Sequence, residues 1–108
     1  MPRIDLPHYH WLVSKHEGRF VTNTYSGSMG TLSNQGCVSV RTFNYRVCVD
    51  ISGGEESAFR LIAESYIIQP WHLGGNKTDA ERTEFESSEK GVMEAAEWLA
   101  RTAAKYGF

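Results

Sequence analysis

From Phe43 to Ile51 the chain alternates strictly, with Phe43, Tyr45, Val47, Val49 and Ile51 on one parity and Thr42, Asn44, Arg46, Cys48 and Asp50 on the other. Successive side chains of a pleated strand leave on opposite faces, so this pattern constrains the segment to a strand with one face toward a core. The reading extends back to Cys37 as one long strand. Ser52-Gly53-Gly54-Glu55 then supplies hairpin chemistry, because glycines accept positive φ. The chain returns from Ala58 to Gln69 with Phe59, Leu61, Ala63 and Ile67 alternating, and Pro70, which cannot donate to a ladder, ends that strand.

The C-terminal third changes period. Val92, Ala95, Ala96, Leu99, Ala100 and Ala103 recur at helical spacing, which predicts a helix from Ser87 or Ser88 to Gly107 whose small alanines allow close packing on a sheet. Ahead of it, Thr78-Asp79-Ala80-Glu81 fits a capping box and predicts a short helix beginning at Thr78. Toward the N-terminus, Arg19 to Tyr25 reads as a strand, followed by a long turn-rich loop from Ser26 to Gly36. Residues 1–18 show no period and are expected as an extended arm or short edge strand. The expected class is α+β, a small antiparallel β-sheet packed by C-terminal α-helices, in a single domain over residues 1–108.

With 108 residues the chain suits one domain that needs no metal or disulfide staple. Cys37 and Cys48 would stand too far apart along one strand to pair, at about 3.3 Å of rise per residue, and read as free thiols. No apolar run approaches the roughly 18 residues of a membrane span, and no leader-like segment opens the chain, so a cytoplasmic protein is expected. The first half carries a slight positive excess and the second half an acidic one, far from the basic footprint of a duplex nucleic-acid binder.

Catalytic constellations are missing. There is no G-x-S-x-G elbow, the Gly74-Gly75-Asn76-Lys77-Thr78 run lacks Walker A spacing, and no paired base and nucleophile can be named, which points to binding rather than catalysis. His8, His10 and His16 lack the supporting groups of a metal site, so no metal and no cofactor is expected. Gly74 and Gly75 ahead of an expected helix start, with Lys77 adding charge, could bring backbone N–H groups onto a phosphate. Arg41 and Arg46 leave their strand on opposite faces, and Phe43, Asn44 and Tyr45 between them add rings and an amide. Tyr66 takes the parity opposite to Phe59, Leu61 and Ala63 and so leaves the core near the glycine loop. An aromatic face, an amide and a guanidinium form the kit that a nucleotide-like ligand requires.

At Tyr25-Ser26-Gly27-Ser28-Met29-Gly30-Thr31, at Thr42-Phe43-Asn44-Tyr45-Arg46-Val47, at Pro70-Trp71 with Gly74-Gly75-Asn76-Lys77-Thr78, and at Glu97-Trp98-Leu99 the chain resembles the first family of phage Thoeris anti-defence proteins. The resemblance implies a sponge that sequesters cyclic ADP-ribose isomers made by bacterial TIR-domain enzymes without cleaving them. It also implies homo-oligomers that enclose the ligand, with cyclic oligonucleotides as a further ligand class, in the host-cell cytoplasm. Carried onto this chain, it gives Arg41 to the pyrophosphate, Tyr66 to stacking on adenine and Asn76 to ribose or phosphate, with Gly75, Lys77 and Phe43 beside them. A rival from another class is a protein-binding antidefence inhibitor acting through an acidic helical face of Glu84, Glu86, Glu89, Glu94 and Glu97.

Overall fold

A computed structural model describes residues 2–30 and 41–108. Strands β3 (Tyr25–Gly30), β4 (Thr42–Asp50), β5 (Arg60–Ile68) and β6 (Lys77–Glu86) form an antiparallel sheet in that order. Helix α2 (Glu89–Lys105) covers one face of it. The α+β class and the antiparallel sheet under a C-terminal helix are as expected.

The alternation sorts the side chains. Phe43, Val47 and Val49 of β4 and Leu61, Ala63 and Ile67 of β5 are buried on the helix side, with Phe59 beside them. Val92, Ala95, Leu99, Ala100 and Ala103 of α2 are buried against that layer. Ser88 caps α2, its Oγ accepting from the Gly91 N–H at 3.1 Å, and Gly107 follows the helix at φ 89°, where a side chain would be strained. Gly91 lets the first turn press on the end of β6: a Cβ there would stand 1.8 Å from the Glu86 carbonyl oxygen.

Residues 2–22 are not a free arm. A single turn α1 (Tyr9–Leu12) leads into β1 (Val13–His16), which pairs with β2 (Arg19–Thr22) as a separate hairpin. The two residues between them, Glu17 and Gly18, both have positive φ, the requirement of the tight turn whose twist matches flanking strands. Ile4, Leu12 and Val13 enter the core. Glu89 accepts from the Tyr9 N–H at 2.8 Å, and the Tyr9 hydroxyl meets Ser87 Oγ at 2.7 Å, fastening this segment to the start of α2. The expected strand through Arg19 to Tyr25 is interrupted after Thr22, where Asn23 N–H turns to the Leu12 carbonyl at 2.9 Å. The expected loop from Ser26 instead continues β3 to Gly30; its remainder, the extension of β4 back to Cys37, and the Trp71 side chain lie outside the described residues.

The largest departure is at Thr78 to Glu81, where the capping box predicts a helix and the chain forms β6. Both box residues are engaged elsewhere: Thr78 Oγ1 accepts from Gln69 Nε2 at 3.0 Å, and Glu81 accepts from the Tyr106 hydroxyl at 2.6 Å. A strand here also satisfies the outer edge of β5, whose backbone groups would otherwise lack partners beneath the helix. One C-terminal helix, not two, therefore packs the sheet.

Candidate functional site

Two cross-strand rows define the sheet face turned away from α2. In the first, Ser28, Asn44 and Tyr66 stand side by side on β3, β4 and β5; in the second, Ser26, Arg46, Glu64 and Arg82 run across all four strands. Directly opposed residues are close enough to act on one ligand. Between the rows lies a half-open groove of about 400 Å³, lined by Ser26, Gly27, Ser28, Asn44, Tyr45, Arg46, Glu64, Tyr66 and Lys77.

Lys77 reaches this face through a bulge. Ser65 pairs with Glu81 and Ile67 with Thr78, so β6 spends one more residue than β5 over that interval, and Asp79 within it sits at φ 52°. Glu81, Thr83 and Phe85 are half-buried, and Glu81 and Phe85 make contacts with α2. Unbroken alternation would put Lys77 on their side. The bulge shifts the phase, pairs Lys77 with Ile68, and brings its Nζ to 4.2 Å from the centroid of the Tyr66 ring.

The remaining polar groups are oriented by their neighbours. Asn44 Nδ2 donates to Thr42 Oγ1 at 3.0 Å, and Arg46 Nη2 donates to Glu64 Oε1 at 3.1 Å. That bond to Glu64 holds the guanidinium above its ordinary pKa, so it is a permanent cation. Cys48 lies on the same face, and burial pushes its thiol pKa up, which disfavours the thiolate. The groove thus offers two cations, one carboxylate, an amide, two serine hydroxyls and a phenol ring. These can bind a phosphorylated, ring-bearing molecule.

Of the six residues expected to touch ligand, Tyr66 and Lys77 line the groove. Arg41 does not. It shares the parity of Phe43, and its Nη2 donates to the Tyr106 carbonyl at 2.6 Å while the guanidinium lies 4.7 Å from the Phe108 ring centroid. Phe43 is 1% exposed and packs on Phe108 at 5.8 Å, so it is a core residue on the helix side. Gly75 and Asn76 sit in the β5–β6 connection outside the groove lining. The expected phosphate cradle there is corrected on two counts: the loop leads into a strand, not a helix end, and the Gly75 N–H already donates to the Pro70 carbonyl at 3.2 Å.

Sequence reasoning did not assign Arg46, Asn44, Ser26, Ser28 or Glu64 to one site. The parity of Asn44 and Arg46 was a sufficient signal for their face, but joining them to Ser26, Ser28 and Glu64 required the strand register. The five glutamates of the acidic surface do not share a helix: Glu84 and Glu86 belong to β6 and Glu89, Glu94 and Glu97 to α2. Three are paired, Glu84 with Arg82, Glu89 with His8 and Glu97 with Arg101. Among the described residues no cluster of three or more metal-ligating side chains occurs, and no helix is long and apolar enough to cross a membrane. The chain matches no family model, no curated protein and no solved structure.

Proposed function

We propose that the protein binds a cyclic ADP-ribose-type nucleotide in the groove on its open sheet face and sequesters it uncleaved, blocking TIR-based Thoeris immunity. The observation that carries this reading is the convergence of the Tyr66 ring, Lys77, Asn44 and Arg46 on one half-open groove of about 400 Å³, a volume suited to a nucleotide-sized molecule. The resemblance to Thoeris anti-defence proteins supports the choice of ligand.

In this reading Arg46 takes the pyrophosphate role that the resemblance gives to Arg41. Adenine stacks on Tyr66, displacing the Lys77 ammonium from the ring toward a phosphate oxygen, and Asn44 with the β3 serines bonds ribose. Every group needed already stands on a hydrogen-bonded sheet, which limits the ordering cost of capture. A second protomer closing the open side would complete the enclosure. Action is stoichiometric, in the host-cell cytoplasm, and consumes no cofactor.

The test is to mix the purified protein with a TIR-derived cyclic ADP-ribose isomer, remove unbound nucleotide, and release the remainder by heating. Intact ligand should be recovered by mass spectrometry in proportion to protomer. Absence of retained nucleotide sinks the reading, and recovery of a cleaved product turns it into an enzyme.

A further inference from the structure

Among the described residues Glu64 is the only carboxylate lining a groove otherwise furnished with cations, hydroxyls, an amide and the Tyr66 ring. It stands directly opposite Arg46 across β4 and β5, and the pair is joined at 3.1 Å with side chains 54% and 35% exposed. An ion pair this open adds little to folding. Its consequence for a ligand is larger. A bare phosphate that draws Arg46 away leaves Glu64 facing a like charge, whereas a ligand carrying its own donors gives that carboxylate a new hydrogen bond. On the far side Arg82 stands opposite Glu64 on β6, but its guanidinium is paired with Glu84 at 3.6 Å and does not stand in for Arg46 as the partner of Glu64.

We infer that Glu64 makes the groove selective for anions that bring hydrogen-bond donors, such as the hydroxyls of a phosphorylated ribose, over bare phosphates. This rests on the nucleotide reading of the groove and names the part of the ligand that the groove discriminates. The cation pair supplies attraction for any phosphate, and the carboxylate supplies the penalty that only a hydroxyl- or amine-bearing ligand relieves. Glu64 is therefore a specificity-determining residue whose removal should loosen the site without emptying it.

The experiment compares wild type with Glu64→Gln by calorimetry, using as probes at one ionic strength cyclic ADP-ribose and the symmetrical dimethyl ester of pyrophosphate, which carries the same two charges and no hydroxyl donor. Thermal melts confirm that the variant is folded. Wild type should prefer cyclic ADP-ribose, and in the variant that preference should narrow by about tenfold, chiefly through tighter binding of the pyrophosphate ester once the like charge of Glu64 is gone. Arg46→Gln, which keeps the acid and removes its cation, should weaken both probes. If wild type and Glu64→Gln bind both probes with the same preference, or the pyrophosphate ester gains nothing in the variant, the role of Glu64 is overturned and the groove reading stands. If wild type binds neither probe, the groove reading itself fails and this inference falls with it.

Discussion

Lys77 and Tyr66 meet because β6 carries one residue more than β5 between their flanking ladder pairs, and the resulting contact is 4.2 Å from ammonium to ring centroid. The extra residue moves a cation from the helix-covered side of the sheet to the open one, over the face of the Tyr66 ring. Lys77→Met keeps a long apolar stem over the ring and removes the charge. Capture of a cyclic ADP-ribose isomer should weaken by about 1.5–3 kcal/mol, the usual worth of a hydrogen bond to a charged group, with the melting temperature little changed. Calorimetry and a thermal melt on the same samples check both halves.

Tyr66 acts through its ring in this scheme. Tyr66→Phe should leave nucleotide affinity nearly intact, whereas Tyr66→Ala should cost about 1–3 kcal/mol, the range found when an aromatic platform under a base is removed. Equal losses in the two variants would transfer the role from ring to hydroxyl.

The two arginines of this region should separate cleanly. Arg41→Ala removes the bond to the Tyr106 carbonyl and the contact with Phe108, so denaturant stability should fall by about 1–3 kcal/mol while ligand capture persists. Arg46→Ala should do the reverse, because its one salt bridge among the described residues is an exposed one, to Glu64. Capture that fails in Arg41→Ala and survives in Arg46→Ala would relocate the site to the helix side of the sheet.

The core strands and α2 were legible because their signals are local and agree. Phe43 to Val49 alternates on a strand that is buried on one side, Pro70 stops the next, and Ser88, the alanine stripe and Gly107 mark the helix. Thr78 to Glu81 reads as a helix start because a capping box is also local, while what decides β6 is long-range: pairing with β5, Gln69 on Thr78 and Tyr106 on Glu81. The β1–β2 turn at Glu17-Gly18 lies within a segment lacking any period, so no local pattern marks its strands. For the site, parity alone put Tyr66 and Asn44 off the core and separated Arg41 from Arg46. It could not say which arginine stands beside Tyr66, since that depends on the register Asn44 to Tyr66, and it says nothing of Lys77, whose face follows from a bulge.

Gly91 offers a test of how closely α2 sits on the sheet. Alanine is the better helix former by about 1 kcal/mol, so on propensity alone Gly91→Ala should stabilise the protein. A Cβ at this position would meet the Glu86 carbonyl oxygen at 1.8 Å, and backbone cannot swing aside as a flexible side chain can. The first turn of the helix must shift, and urea unfolding should show a loss of about 2 kcal/mol or more, in the range of overpacked cores. A gain in stability would mean that the helix docks less tightly than described.

Glu81 fastens the other end of α2, accepting from the Tyr106 hydroxyl at 2.6 Å and from Lys105 Nζ at 2.9 Å. The tyrosine hydrogen bond first, and the lysine second, hold its carboxyl below the ordinary value of 4.5. A folded-state pKa lowered in this way contributes stability that is present in full above the unfolded value and lost as pH falls through the folded one. Glu81→Gln mimics the protonated acid, so wild type should be the more stable at neutral pH, with the difference shrinking below about pH 4.5 and vanishing in stronger acid. Asp50, bonded to Ser52, and Glu89, bonded to Tyr9, are also lowered, but they are common to both proteins and cancel in the difference. Melting curves of the pair across pH 3 to 7 measure it directly, in steps of about half a unit. A difference that stays constant down to the acid end would show that the Glu81 carboxylate is not what ties Tyr106 to β6.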